Sequence, residues 1–154
     1  MWSSDQRQRL ILENEVLHKE DFTQFSVYWY ESSDTYEASG TTSSSSGKLY
    51  TLAIPIPSGF PQSRPPMYLT YPSPLYSADG NRVSSLGVPH YMHTLAPSAS
   101  GHVQICHWRD DRWHSGILLH KVFLKGLLWI EAYEQHLATG VSISEFVSTM
   151  KERT

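Results

Sequence analysis

Residues 101–128, GHVQICHWRDDRWHSGILLHKVFLKGLL, decide how this chain reads. They hold its only cysteine, Cys106, and a tryptophan-bearing turn at Trp113. Leu119, Val122, Phe123, Gly126, Leu127, Ile130 and Tyr133 then recur at helical spacing. A helix with one buried stripe is expected over about Leu118 to Ala138, stopping near Gly140. Cys106 falls in irregular chain just ahead of it. A thiol so placed is fixed by a rigid element yet reachable, which is where a nucleophile belongs.

Upstream, Ser3, Ser4 or Asp5 can cap a first helix, roughly Asp5 to Lys19. Leu10, Leu17 and the pair Leu12/Val16 form its apolar side; Arg7, Arg9, Glu13 and Glu15 form its polar side. Phe22 to Tyr30 alternates, with Phe25, Val27 and Trp29 facing one way, and reads as a strand. Thr35 to Ala38 is a short second strand. Gly40 to Gly47, GTTSSSSG, has no apolar surface to bury and reads as a flexible hairpin tip. Lys48 to Ile56 alternates with Tyr50, Leu52, Ile54 and Ile56 on one face. The four prolines of PSGFPQSRPP, Pro57 to Pro66, fix φ and withhold ladder donors, so this is a rigid turn. Met67 to Tyr71 is a fourth strand. The expected architecture is α+β: an N-terminal helix, a four-stranded antiparallel meander and C-terminal helices.

From Pro72 to Ser100 the pattern dissolves into Pro, Gly and Ser. A loop this long is usually functional or disordered, and this one leads straight to Cys106. Ser142-Ile143-Ser144-Glu145 is a capping-box pattern for a last helix ending near Glu152.

The 154 residues suit a single domain, 1–154. One cysteine excludes an internal disulfide and favours a reducing, cytoplasmic setting. The start, MWSSDQRQRL, has no apolar signal core, and no run is long enough to span a bilayer, so no membrane partner is expected. A net charge of −3 without a basic block argues against nucleic acid as a partner.

Two segments together resemble the ubiquitin-conjugating enzyme superfamily. Leu49 to Pro66, LYTLAIPIPSGFPQSRPP, resembles its third strand and proline turn, with Phe60-Pro61 in the aromatic-proline position and Pro65-Pro66 closing the turn. Gln104 to Leu128 resembles its active-site segment, tryptophan turn and following helix, with Ile105-Cys106 at the active-site position and Trp113 at the turn. The family's His-Pro-Asn triplet ahead of the cysteine is not matched. An ungapped register supplies Ala96-Pro97-Ser98, and a register with an insertion supplies His93-Thr94-Leu95; neither contains Asn. His107 follows the cysteine where the family has Leu. These departures make the chain most similar to conjugating enzymes of bacterial, antiviral-type ubiquitin-like operons.

The resemblance implies a fold and a chemistry. The fold is the helix–meander–loop–helix plan, with a long active-site loop. The activity is acceptance of a ubiquitin-like modifier from an activating enzyme as a thioester on Cys106, then transfer to an amine on a target protein. No cofactor is needed, because the activating enzyme consumes the ATP. Arg7 and Arg9 are contacts for that enzyme by resemblance. Gln62, Ser63 and Gly116 differ from the residues usual at the ligase surface, which argues against a RING-type ligase partner.

Acyl transfer of this kind needs a nucleophilic thiolate, an oxyanion donor and loss of an amine proton. Cys106 is the candidate nucleophile, although a free cysteine is commonly a small buried hydrophobe. His107, adjacent, is a candidate for lowering the thiol pKa or donating to the oxyanion; His102 and His114 are open to the same roles. Ser98 is the donor if the ungapped register holds. Asp110 and Asp111 are candidates to orient an amine, and Trp113 to anchor the loop. Three alternatives remain open. Zinc could be held by His90, His93, Cys106 and His107, though their spacing fits no zinc pattern. A hydrolase would pair Cys106 with His120 or His136. A non-catalytic modifier-binding variant of the same fold would have no use for the cysteine. No structural zinc is expected: chelation should leave thermal unfolding unchanged, and about one equivalent of zinc lost together with the fold would overturn this.

Overall fold

The first helix, α1 (Ser4–Lys19), starts on a capping box. The Ser3 hydroxyl accepts from the Gln6 N–H and the Gln6 side chain accepts from the Ser3 N–H, so two orphan amides are satisfied. In the computed structural model, which describes residues 2–87 and 90–149, α1 buries Leu10 and Leu17, and between them Glu13. The periodicity expectation is corrected here: Leu12 is 46% exposed, Val16 only half-buried, and Glu13 0% exposed. Glu13 is buried because its charge has partners. One carboxylate oxygen accepts the Leu119 N–H at 2.8 Å and the other pairs with Arg9 Nε at 2.8 Å. Arg9 in turn donates to the Ile117 carbonyl at 3.0 Å and lies 5.5 Å over the Phe60 ring.

Strands β1 (Phe25–Tyr30), β2 (Thr35–Ser43), β3 (Leu49–Pro55) and β4 (Met67–Tyr71) form the expected antiparallel meander. Two short strands, β5 (Thr94–Leu95) and β6 (Val103–Ile105), extend it, so the sheet has six strands in the order β1-β2-β3-β4-β6-β5 rather than four. Strands of two and three residues leave no readable alternation; they form because β6 pairs with β4, Met67 opposite Ile105. On the inner face Tyr50, Leu52, Ile54 and Ile56 are buried as expected. Trp29 instead stands half-exposed beside Tyr36. At the outer edge, Asn14 of α1 accepts the Val27 N–H at 2.9 Å, which satisfies an unpaired strand amide.

The serine-rich segment is not a flexible tip. Gly40 to Ser43 belong to β2, and the turn after it is tied to the long helix α2 (Leu119–Thr139). Glu131 accepts from the Ser45 N–H and hydroxyl, and Glu134 accepts from the hydroxyls of Ser44, Ser46 and Tyr50. Burial pushes the Glu134 carboxyl up, but these hydroxyl bonds outweigh it and hold the group below its ordinary range.

Helix α2 packs its buried stripe on the sheet. Phe123 stacks on Phe25 with ring centres 3.9 Å apart. Gly126 allows the close approach: a Cβ there would lie 2.8 Å from Leu52 Cδ1 and 2.9 Å from Met67 Cε. Gly140 ends the helix in the left-handed conformation at φ 76°. The last helix, α3, spans Ile143–Thr149, and its expected continuation to Glu152 lies outside the described residues.

The patternless stretch after β4 is fastened to α2 by side chains at i, i+4 and i+7. Trp129 Nε1 donates to the Met92 carbonyl (3.0 Å) and the Tyr133 hydroxyl to the Tyr76 carbonyl (2.6 Å). His136 accepts the Ala78 N–H on Nε2 (3.0 Å) and donates from Nδ1 to the Val141 carbonyl (2.8 Å). Among the described residues no helix is long and apolar enough to cross a membrane. Removing the carboxylate in Glu13→Ala strands Arg9 and uncaps α2, so a loss of about 3–5 kcal/mol in urea unfolding is expected, against less than about 0.5 kcal/mol for the exposed Leu12→Ala.

Candidate functional site

Cys106 is the residue immediately after β6, and its position is set by a hairpin. Thr94 pairs with Ile105 and Leu95 with Gln104, so His93 falls opposite Cys106. The Cys106 N–H donates to the His93 carbonyl at 3.1 Å. His93 enters β5 through the left-handed region at φ 57°, a conformation uncommon for a residue with a Cβ and concentrated at functional loops.

Ser98 occupies the far end of the same hairpin. Its hydroxyl accepts the His102 N–H at 3.1 Å, and its own N–H donates to the His102 carbonyl at 3.0 Å. With a rise of about 3.3 Å per residue, that end lies roughly 13 Å from the Cys106–His93 pair. The structure therefore brings neither Ser98 nor the backbone of His102 to Cys106. His114 lies in the tryptophan turn, where its Nδ1 accepts the Gly116 N–H at 3.1 Å. His120 packs edge-on against Phe22, and His136 is engaged by Ala78 and Val141. Arg9, expected at a partner surface, turns inward to Glu13, while Arg7 stays exposed.

The proline turn and the segment after Cys106 are held together by three bonds. His107 Nε2 donates to the Pro65 carbonyl at 2.7 Å, Trp113 Nε1 donates to the Pro61 carbonyl at 3.0 Å, and Arg64 Nε pairs with Asp110 at 3.0 Å. Trp113 is thus the anchor it was expected to be. Rings of His107, Trp108 and Trp113 meet edge-on, and the Lys125 ammonium sits 4.7 Å over Trp108. Asp111 pairs with the exposed Arg109 at 2.7 Å.

His107 is 7% exposed. Burial lowers its pKa to about 4, against the pull of the Pro65 carbonyl; Arg64 and Lys125 push the same way as burial and Asp110 opposes them. At neutral pH the ring is neutral, and its single N–H goes to Pro65. The other nitrogen, Nδ1, is therefore a bare acceptor, buried without a hydrogen-bond partner. The adjacent imidazole ties the Cys106 loop to the proline turn and forms no ion pair with the thiol. Burial pushes the half-buried Cys106 thiol up, and the charges of Arg64 and Lys125 pull it down by less. The site is a thiol held protonated at rest, with two cations ready to favour negative charge there.

Arg64, Lys125 and the backbone of His93 are the neighbours that the sequence reading missed. Arg64 was findable, because it stands inside the proline turn. Lys125 carries no such signal: it is a polar position flanking the α2 stripe. Among the described residues no three His, Cys, Asp or Glu are grouped to hold a metal ion, and the His90 side chain lies outside that description. Compared with known proteins, the chain matches no protein-family model and no curated protein.

The neutral His107 couples folding to acid. Above pH 6.5 both folded and unfolded His107 are neutral; between 6.5 and about 4 only the unfolded chain takes up the proton, so stability falls as pH falls. The full effect is about 3 kcal/mol. His107→Gln, whose amide can still donate to Pro65, should lose that part of the slope when urea midpoints are compared from pH 7 to pH 4.

Proposed function

We propose that this chain is a ubiquitin-conjugating type enzyme that carries a ubiquitin-like modifier as a thioester on Cys106 and passes it to an amine on a target protein. One observation carries the reading. The two segments that resemble the family, Leu49 to Pro66 and Gln104 to Leu128, are packed on each other around the cysteine through His107–Pro65, Trp113–Pro61 and Arg64–Asp110. The α+β order supports it: N-terminal helix, antiparallel meander, cysteine after the sheet, long helix behind.

In the proposed reaction the Cys106 thiol gives up its proton and the thiolate attacks the carbonyl carbon of the activating enzyme's thioester. A new C–S bond forms, and the activating enzyme leaves as a thiolate. A target amine then attacks the Cys106 thioester, loses a proton to solvent and releases Cys106. Burial holds the thiol protonated at rest, so the charges of Arg64 and Lys125, which favour the thiolate, assist the first step. Partners are the modifier, the activating enzyme and the target; the reaction is assigned to the cytoplasm, where a free thiol stays reduced. Gln62, Ser63 and Gly116 depart from the family's ligase surface, so no RING-type ligase is assigned as a partner in this bacterial-type system.

With an activating enzyme, its modifier and ATP, the protein should form an adduct removed by reductant. Cys106→Ser should give a reductant-stable ester or none, and Cys106→Ala none. An adduct that persists in Cys106→Ala sinks the proposal. Cleavage of a modifier fusion without ATP would favour a hydrolase instead.

A further inference from the structure

Arg64 has more donor capacity than its surroundings use. Its Nε is paired with Asp110, yet its Nη1 is buried with no hydrogen-bond partner. The Arg64 side chain is 14% exposed and that of Asp110 86%, so the one carboxylate that answers the guanidinium sits in water and answers it weakly. A buried, half-satisfied cation is costly, and such groups in native structures have a cause. Its contacts place it against the segment that carries the thiol. Arg64 precedes Pro65, whose carbonyl is bonded to the ring of the residue after Cys106, and its own partner, Asp110, lies four residues beyond Cys106.

The neighbouring side chains and the Cys106 amide are engaged elsewhere. The Cys106 N–H is taken by the His93 carbonyl, and that carbonyl is itself an acceptor. The ring N–H of His107 is taken by Pro65, and the other ring nitrogen is bare. Ser98 is at the far end of the hairpin, bonded to His102. The Lys125 ammonium is engaged over the Trp108 face.

Building on the conjugating function proposed above, we infer that Arg64 is the oxyanion donor of this site: its Nη1 hydrogen-bonds the carbonyl oxygen of the acyl group on Cys106 as that oxygen takes on negative charge. In discharge, the amine nitrogen forms a bond to the carbonyl carbon and the π electron pair moves onto oxygen, where Arg64 meets it. The pair returns as the C–S bond breaks. Cys106 leaves as a thiolate, and the proton of the attacking amine goes to solvent. Arg64 donates the hydrogen bond and transfers no proton. The same charge favours the thiolate before loading and after discharge, in line with its downward pull on the thiol. The residue thus fills the role left open by the asparagine that neither register supplies.

The test needs no activating enzyme. A short peptide thioester of mercaptoethanesulfonate loads Cys106 by thiol exchange, and discharge to free lysine is followed in single turnover; iodoacetamide alkylation over a pH series reports the thiol. Arg64→Ala should slow discharge by about 10²–10³ and move the alkylation profile to higher pH. Arg64→Lys keeps the charge and loses the fork, so it should keep the parent alkylation profile while discharge stays slowed by about 10². Arg109→Ala, at an exposed arginine of the segment after Cys106, should change neither. Discharge at the parent rate in Arg64→Lys and Arg64→Ala, or an equal effect of Arg109→Ala, overturns the assignment. If Arg64→Ala does not fold, Arg64→Lys decides alone. Arg64-dependent discharge in a protein that no activating enzyme loads would keep the donor and sink the conjugating function. Normal enzymatic loading with Arg64-independent discharge would do the reverse. A parent protein that never forms the peptide adduct overturns both.

Discussion

The buried pair Arg9–Glu13 is the constraint on which the rest of the molecule depends. A carboxylate with no exposure, next to a guanidinium, is stable in a protein only if each has further partners. Here those partners come from two further parts of the chain, the proline turn and the start of α2. Glu13 caps α2 through Leu119, in place of the side-chain cap that Leu118 cannot give. Arg9 holds the Ile117 carbonyl and covers Phe60 in the proline turn. Burial raises the Glu13 pKa, and the Leu119 amide and Arg9 oppose it. Satisfying one ion pair thus fixes α1, the proline turn and the start of α2 relative to each other.

That frame positions the candidate site. The proline turn, steadied by Arg9 from beneath and by Gln6 bonds to the Ser58 and Phe60 carbonyls, presents Pro61, Arg64 and Pro65 to the chain after Cys106. From the other side, β6 is pinned between β4 and β5, so Cys106 begins where the ladder ends. Burial and charge oppose each other at the thiol. Desolvation keeps it protonated, and Arg64 and Lys125 favour the ionised form. The neutral His107 adds no charge of its own.

Much of the fold was legible because it rests on periodicity. The alternation of Tyr50, Leu52, Ile54 and Ile56 and the α2 stripe are set by local pattern, and both match the structure. What was not legible rests on polar partners distant in sequence. Glu13 reads as solvated until Leu119 is placed beside it. GTTSSSSG reads as flexible until Glu131 and Glu134 are seen to accept from its serines. Trp129 reads as incidental, and His136 as a candidate partner for a hydrolytic Cys106, until their bonds to Met92 and Ala78 are seen to order the long stretch after β4. At the site, Cys106 and Trp113 stood out by context. The register of the hairpin did not, because a three-residue strand carries no pattern, and only the pairing of Thr94 with Ile105 places His93 opposite the cysteine.

Peptide mapping of the loaded protein tests the central claim most directly. After reaction with activating enzyme, modifier and ATP, digestion under non-reducing acidic conditions should yield a peptide in which the modifier's C-terminal remnant is joined to Cys106. Hydroxylamine should release it and restore a free thiol. A remnant found only on lysine, with Cys106 still open to alkylation, would contradict the account.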